Sequence, residues 1–505
     1  MANTPLALSA RERRLLVLLV AGVLLVRLVT LAAYPLTDPT EARYAEIARK
    51  MLETGRWITP QFDYGVPFWG KPPLSTWASA MTMSMFGVDE FGARLPSLLF
   101  MVGSAALVWA LGVRRAGRDL GLWATVIFAT TGLVFVSAGA VMTDPALTLG
   151  TTLAMAGFWG ALHLEGRASR TAGLGFFVGL AVGLLAKGPV AAILTILPIG
   201  AWALWTRNSK AAISKLPWVG GGVLLAALVI PWYWAAERAT PGFLDYFLVG
   251  EHWKRFTQPG WTGDLYGAAH ARPRGMIWLF WLGVALPWSL AAITWLARAA
   301  LVRRGDLRAI ARDSWRSYFV LWSLAPMIFF TVSGNVLPSY VLPGLPALAL
   351  VVADLWRPRI DDARLLRPLV RQALWTGAVL CAGFAIAIVV LRPRLENELS
   401  HKGLVREFQR QREGEPAELL YVRQQPASAA FYTRGMAKRL ADEGALVPRA
   451  GDTPLFFVAI RERDLAALPA NVRVGLEPAG DFGEYRLLRH RYRPWPPPHL
   501  SLPGS

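Results

Sequence analysis

Eleven runs of about twenty mainly apolar residues succeed one another along this chain. They lie near 15–34, 94–113, 120–139, 145–163, 171–187, 189–206, 216–236, 276–299, 317–333, 338–356 and 372–391. A run of that length crosses the hydrocarbon core of a bilayer as one helix. Inside lipid only helices and closed barrels satisfy their own backbone polar groups. The expectation is therefore a multi-pass α-helical membrane protein with about 11–13 transmembrane helices, the larger number if breaks such as Lys187-Gly188-Pro189 divide a run. The first run is long, contains Arg27 and is followed by many more, so it reads as a span and not as a cleavable signal.

Composition agrees. Hydrophobic residues are 54% and charged residues 17% of the 505, against roughly 25% charged in an ordinary soluble chain. The net charge of +19 would suggest nucleic acid in a soluble protein. Here the charges fall in short loops between spans, and no nucleic-acid partner is expected. Arg11, Arg13 and Arg14 precede the first span; Arg114, Arg115 and Arg118 follow the second; Arg167 and Arg170 the fourth; Arg207, Lys210 and Lys215 the sixth. Arg303, Arg304, Arg308, Arg312 and Arg316 follow the eighth, and Arg357, Arg359, Arg364, Arg367 and Arg371 the tenth. The positive-inside bias puts these loops and the N-terminus in the cytoplasm. The long loops 35–93 and 237–275, and everything after about 392, then face outward. Residues 1–391 read as the membrane domain. Residues 392–505 read as a small soluble α/β domain, with strands expected at Leu419–Val422, Leu455–Ile460, Val472–Leu476 and Tyr485–Leu488. The Pro494–Pro498 segment fits neither helix nor central strand. Gly175, Gly179 and Gly183 are spaced for close helix packing. Cys381, the single cysteine, excludes a disulfide framework.

Candidate chemistry gathers in the outward loops. Asp38 reads as a helix N-cap, followed by Pro39 at the first helical position and Glu41 three residues on. Asp38, Glu41 and Arg43 crowd the point where the chain leaves the bilayer. They either line a site or decorate a solvated interfacial helix. Lys71, before Pro72-Pro73, is placed to meet a lipid phosphate or simply to snorkel. Asp144 is a cap or a second site carboxylate, and Lys187 is a charge between two apolar runs. His252 beside Glu251, with Lys254 and Arg255 near, suits an anion or a share in a divalent metal site, although one His and one Glu make an incomplete metal set. Tyr340 opens the tenth span as a belt aromatic or as a donor into a cavity. The chain carries no Walker A pattern and no Gly-rich dinucleotide turn. An outward-facing enzyme without nucleotides needs a donor carried by the membrane. A sugar on a polyprenyl phosphate meets that need, and its phosphate leaves readily when a cation stabilises it. The rival classes are a transporter or lipid flippase, for which inverted repeats and midplane charges are missing, and a non-catalytic sensor, which leaves the first loop unexplained.

Several short segments, in order over about residues 15–350, carry a resemblance: Glu41-Ala42-Arg43-Tyr44-Ala45-Glu46-Ile47, Trp57-Ile58-Thr59-Pro60, Lys71-Pro72, Asp144-Pro145, Lys187-Gly188, Pro231-Trp232, Glu251-His252 with Arg255-Phe256, Leu286-Pro287-Trp288 and Leu337-Pro338-Ser339-Tyr340. Together they resemble the GT-C fold glycosyltransferases that use lipid-linked sugars, and within them the ArnT-like aminoarabinose transferases of lipid A, relatives of protein O-mannosyltransferases. The resemblance implies a periplasmic active site in the bacterial inner membrane, an undecaprenyl-phosphate-linked donor and a periplasmic C-terminal domain. Lipid A or another periplasmic glycan, lipid or protein would be the acceptor. On this reading Asp38 or Glu41, together with Asp144, are the expected catalytic carboxylates, and Arg43, Tyr44, Lys71, Arg255 and Tyr340 are expected at the donor phosphate. His252 is the candidate metal ligand. The chain departs from the family where Thr40 replaces an acid before Glu41, where Gly70 replaces a glutamate before Lys71, and where Gly334-Asn335-Val336-Leu337-Pro338 replaces Gly-Lys-Leu-Pro.

Overall fold

The computed structural model describes residues 8–267, 270–301, 308, 311–360, 363–446, 455–468 and 470–491. Arg303, Arg304 and the Pro494–Pro498 segment lie outside the described residues. The chain divides into two compact units. One comprises Met1–Ala33 with Lys50–Ile386, and the other Tyr34–Arg49 with Ala387–Ser505.

The first unit is helical. Among the described residues, Glu90–Ala116, Gly166–Lys187, Trp218–Ala239, Pro338–Arg357 and Leu366–Asn397 are long and apolar enough to cross a membrane. Met276–Val284 and Trp288–Arg298 make a further span if taken together, bent by 110°. Pro287 stands at that break; it has no N–H to continue a helix ladder. Of the other expected spans, Ala10–Thr30 and Asp144–His163 are unbroken helices of 21 and 20 residues, more polar than those above, and the rest are shorter or interrupted. The 120–139 run breaks at Thr130-Thr131 into Arg118–Ala129 and Gly132–Ser137, and Val190–Trp205 is separate from Gly166–Lys187. Polar residues set several starts. Ser9 and Glu12 form a capping box, and Asp89 accepts the Gly92 N–H.

Apolar side chains fill the centre of this unit, with Trp123, Trp202, Trp288, Tyr318 and Trp322 fully buried. The helices Asp144–His163 and Gly166–Lys187 touch backbone to backbone. A Cβ on Gly179 would lie 2.3 Å from the Ala154 nitrogen, and one on Gly150 2.6 Å from the Gly183 nitrogen. The expected glycine spacing packs as anticipated: Gly179 and Gly183 lie against the facing helix, and a Cβ on Gly157 would come within 2.9 Å of the Gly175 carbonyl carbon. Several of the loop cations are paired: Arg13 bonds Asp119 at 2.9 Å, Arg115 bonds Asp313 at 2.7 Å and Asp354 at 3.0 Å, and Arg316 bonds Asp354 at 2.6 Å. Near the start of the unit, β1 (Gln61–Asp63) and β2 (Val66–Pro67) form a small antiparallel hairpin.

The second unit is an α/β fold. Its sheet comprises β3 (Glu418–Val422), β4 (Lys438–Leu440), β5 (Leu455–Arg461), β6 (Leu476–Phe482) and β7 (Tyr485–Arg491), in the order β4-β3-β5-β7-β6. β4, β3 and β5 are parallel, and β7 runs antiparallel to both β5 and β6. Successive side chains of β5 point to opposite faces. Leu455, Phe457 and Ala459 enter one core with Leu404 and Phe408, while Phe456, Val458 and Ile460 enter another with Leu440 and Val472. Because both faces are covered, β5 reads as an unbroken apolar run. The strand expected at Val472–Leu476 is corrected: Ala470–Arg473 is a helical turn that buries Val472, and β6 starts only at Leu476.

Candidate active site

The first unit contains a cavity of about 340 Å³ whose lining includes Lys71, Lys187, Glu251, His252, Arg255 and Tyr340. One wall is a nine-residue π-helix, Tyr246–Lys254, continued by the short α-helix Arg255–Thr257. Such wide turns recur at functional sites because they re-aim side chains. Here Glu251 faces two cations at once. Lys71 Nζ donates to Glu251 Oε2 at 3.0 Å, and Arg255 Nη1 donates to Glu251 Oε1 at 3.0 Å and to Asp264 Oδ2 at 3.0 Å. The Lys71 ammonium also donates to the Gly70 carbonyl at 2.5 Å.

The side chains of Glu251 and Asp264 are only 4% and 6% exposed, and those of Lys71 and Arg255 18% each. Asp264 is thus sealed behind Arg255, while Glu251 and the two cations line the cavity. Burial disfavours the Glu251 carboxylate, but Lys71 and Arg255 outweigh it and hold its pKa below the ordinary carboxylate range. Two cations against two carboxylates leave this cluster near neutrality.

A second pair closes the other side. Lys187 ends the Gly166–Lys187 helix and Asp144 begins the Asp144–His163 helix; their side chains meet at 2.6 Å. The Lys187 ammonium also lies 4.4 Å from the centre of the Tyr340 ring. His252 joins the two sides. Its Nδ1 is 2.7 Å from the Phe247 carbonyl and its Nε2 is 3.1 Å from the Lys187 carbonyl. Burial is the largest influence on this imidazole and pushes its pKa down; the Phe247 carbonyl opposes the shift, and Lys71 adds to it. With a carbonyl facing each nitrogen, His252 acts in this geometry as a strut. No group of three or more His, Cys, Asp or Glu side chains among the described residues is arranged to hold a metal ion.

Around the charged end, Val190, Ile193, Leu248, Phe256, Phe329 and Phe330 give the cavity an apolar lining. A polar head beside a greasy slot suits an amphiphile whose head is anionic.

Lys71, Asp144, His252, Arg255 and Tyr340 are all in the first unit, the first four joined by the contacts above and Tyr340 by its ring. The remaining candidates are in the second unit. The helix there begins at Thr40, so Asp38 is not its N-cap. Asp38 instead accepts from both the backbone N–H and the hydroxyl of Ser428, and its own N–H donates to the Leu399 carbonyl at 2.8 Å. Burial raises the Asp38 pKa, and the Ser428 hydrogen bonds only partly offset it. Glu41 accepts the Thr37 N–H at 3.0 Å and the Thr37 hydroxyl at 3.1 Å. The Arg43 guanidinium lies 5.8 Å from the centre of the Tyr44 ring. Asp264, and Asn335, which also lines the cavity, are not singled out as site residues by the sequence. Asp264 belongs to no recognisable motif, and Asn335 was visible only as a departure from the family pattern.

The chain is similar to several known proteins. A family model for dolichyl-phosphate-mannose-protein mannosyltransferase matches residues 14–247. An undecaprenyl phosphate-α-4-amino-4-deoxy-L-arabinose arabinosyl transferase of Pseudomonas savastanoi pv. phaseolicola is 31% identical over 387 residues, covering 76% of this chain and 69% of that protein. The protein of the same name in Pseudomonas aeruginosa is 31% identical over 407 residues, covering 77% and 68%. That of Erwinia tasmaniensis is 32% identical over 332 residues, covering 65% and 56%, so the chain spans little more than half of this relative. In fold, the chain is similar to the crystal structure of ArnT from Cupriavidus metallidurans bound to undecaprenyl phosphate, with a TM-score of 0.75, 19% identity, and coverage of 94% of this chain and 97% of that one. By this identity and coverage, and with the likeness in fold, the chain belongs to the family of undecaprenyl phosphate-aminoarabinose arabinosyl transferases, multi-pass membrane glycosyltransferases of the GT-C fold.

Proposed function

We propose that this protein transfers a sugar from a polyprenyl phosphate, of the undecaprenyl type, to an acceptor of the lipid A class at the outer face of the bacterial inner membrane. The observation that carries this reading is the pair of cations, Lys71 and Arg255, at the polar end of an apolar-lined cavity. The isoprenoid lies along Val190, Ile193, Phe256 and Phe329. Its phosphate competes with Glu251 for Lys71 and Arg255, with Tyr340 beside it. Those cations stabilise the charge that grows on the phosphate as the bond to the sugar anomeric carbon breaks.

On the acceptor side the carboxylate of the first unit is Asp144; Asp38 and Glu41 for catalysis, and Arg43 and Tyr44 for the donor phosphate, are proposed from their residue types and the family resemblance alone. A hydroxyl acceptor requires one carboxylate as general base. An ionised phosphate, as on lipid A, requires none, and the carboxylates then position the reactants. The match to the mannosyltransferase family over residues 14–247 favours a second reading, transfer to a protein hydroxyl.

Membranes containing the full chain, supplied with radiolabelled polyprenyl-phosphate sugar, test the reaction. Label should pass to acceptor with the wild type and not with Lys71→Ala. Full transfer by that variant removes the lysine from the mechanism. Mass spectrometry of lipid A and of membrane proteins, with and without the gene, separates the two acceptors.

A further inference from the structure

We propose that Asn335 is a positioning residue for the donor-phosphate site, which sets the place of Arg255 by capping the end of the helix that carries it. The inference rests on the reading of the cavity given above and adds a residue to it.

The helical segment that bears Glu251 and Arg255 ends at Thr257. The last carbonyls of a helix have no partner within it. Here the partner comes from a distant part of the chain. The Asn335 side-chain amide donates one N–H to the Arg255 carbonyl at 2.6 Å and the other to the Gln258 carbonyl at 2.7 Å. Its Oδ1 accepts the Gly260 N–H at 3.0 Å. Two carbonyls facing the NH₂ and one N–H facing the oxygen fix the amide's orientation. Two donors and one acceptor on one short planar group is a set that only an amide side chain offers. Asn335 is buried and also lines the cavity.

The backbone around it is held as firmly. Arg272 N–H donates to the Gly334 carbonyl at 2.8 Å, Ala271 pairs with Asn335 in an isolated bridge, and a Cβ on Gly334 would lie 2.6 Å from the Pro259 ring. Tyr340 follows five residues later. One rigid strap thus supports both the cation and the aromatic ring at the polar end of the cavity. Aspartate, nearly isosteric, would lose both donors and press a carboxylate against two carbonyls at a helix C-terminus, where negative charge is disfavoured.

The test uses the full chain in detergent, with sugar-free undecaprenyl phosphate as the binding probe and steady-state transfer as the second readout. Asn335→Asp and the milder Asn335→Ser, which keeps one donor, should weaken probe binding by about tenfold and about threefold respectively. KM for the donor should rise more than kcat falls. Hydrogen exchange should quicken at residues 255–263. The decisive arm is non-additivity: Asn335→Ser added to Arg255→Ala should cost no further probe affinity, because the group it places is gone. A wild type that binds the probe, with Asn335→Ser indistinguishable from it or with losses that add to those of Arg255→Ala, overturns the positioning role alone. A wild type that fails to bind the probe overturns the donor-site reading and this inference with it. If Asn335→Asp does not fold, Asn335→Ser carries the same comparison.

Discussion

Lys71 and Glu251, 180 positions apart in the chain, meet at 3.0 Å in the wall of the cavity. Neither is stable there alone, since an unpaired buried charge costs several kcal/mol. In the proposed function this pairing holds the Lys71 ammonium in place before a donor arrives. Replacing Lys71 by alanine should lower transfer by roughly 10²–10³-fold, the scale expected when one preorganised charge contact to the developing oxyanion is removed. Initial rates at saturating donor are the measurement, and a loss under about fivefold would contradict the assignment.

The Asp144–Lys187 pair makes a separate prediction. Asp144→Asn or Lys187→Met alone strands a charge and should destabilise the chain by about 3–5 kcal/mol. The double variant removes both charges and should recover most of that loss. Thermal unfolding of the three variants in one detergent provides the comparison; simple addition of the two single losses would show that the pair is not coupled.

Two glycines should respond in opposite directions to the same change. Gly22 lies in a helix where an added Cβ would meet nothing within 4 Å, so Gly22→Ala should be neutral or stabilising by up to ~1 kcal/mol. Gly179→Ala must push apart two backbones in contact and should destabilise by roughly 1–3 kcal/mol despite its better helix propensity. Equal melting temperatures for the two variants would count against the close helix contact.

His401 in the second unit provides a pH dependence. Burial, with Arg461 adding to it, lowers its pKa from 6.5 to about 4, and its Nδ1 lies 3.0 Å from the Tyr421 hydroxyl. The folded state therefore binds fewer protons than the unfolded state between those values. The resulting stability, about 3 kcal/mol at most, is present above pH 6.5 and is lost as pH falls toward 4. Asp38 runs the other way, because its raised pKa favours the folded state as it takes up a proton, so His401→Gln is the control that isolates the histidine. Hydrogen exchange across β3 and β5 of the full chain should quicken from pH 6.5 to pH 4.5 in the wild type and change less in His401→Gln. Identical profiles would exclude His401 as the source.

Apolar length and loop charge were legible because each follows from a one-dimensional rule: a span needs a certain length, and arginines mark one side of it. Lys71, Arg255 and Tyr340 were legible singly, as charges and rings out of place in apolar surroundings. Their partners were not. Asp264 and Asn335 act through contacts across many residues of separation, and nothing in their local sequence announces a neighbour. Asp38 was misread as a cap because its local sequence suits one, whereas its carboxylate bonds Ser428, 390 positions away. Val472 was placed in a strand on its β-branched character, and burial against β5 and β7 residues made it part of a helical turn instead.

The wide helix Tyr246–Lys254 has a consequence for how this wall is built. In an ordinary α-helix each residue advances by about 100°, so consecutive side chains rarely serve the same interior. With five residues to the repeat instead of four, Glu251 reaches across to Lys71 while its immediate neighbour His252 reaches the end of the Gly166–Lys187 helix. Deleting one residue anywhere between 246 and 250 would tighten the coil and swing both away from their partners together. The number of residues in this stretch therefore fixes the aim of the acid and the imidazole as much as their identities do.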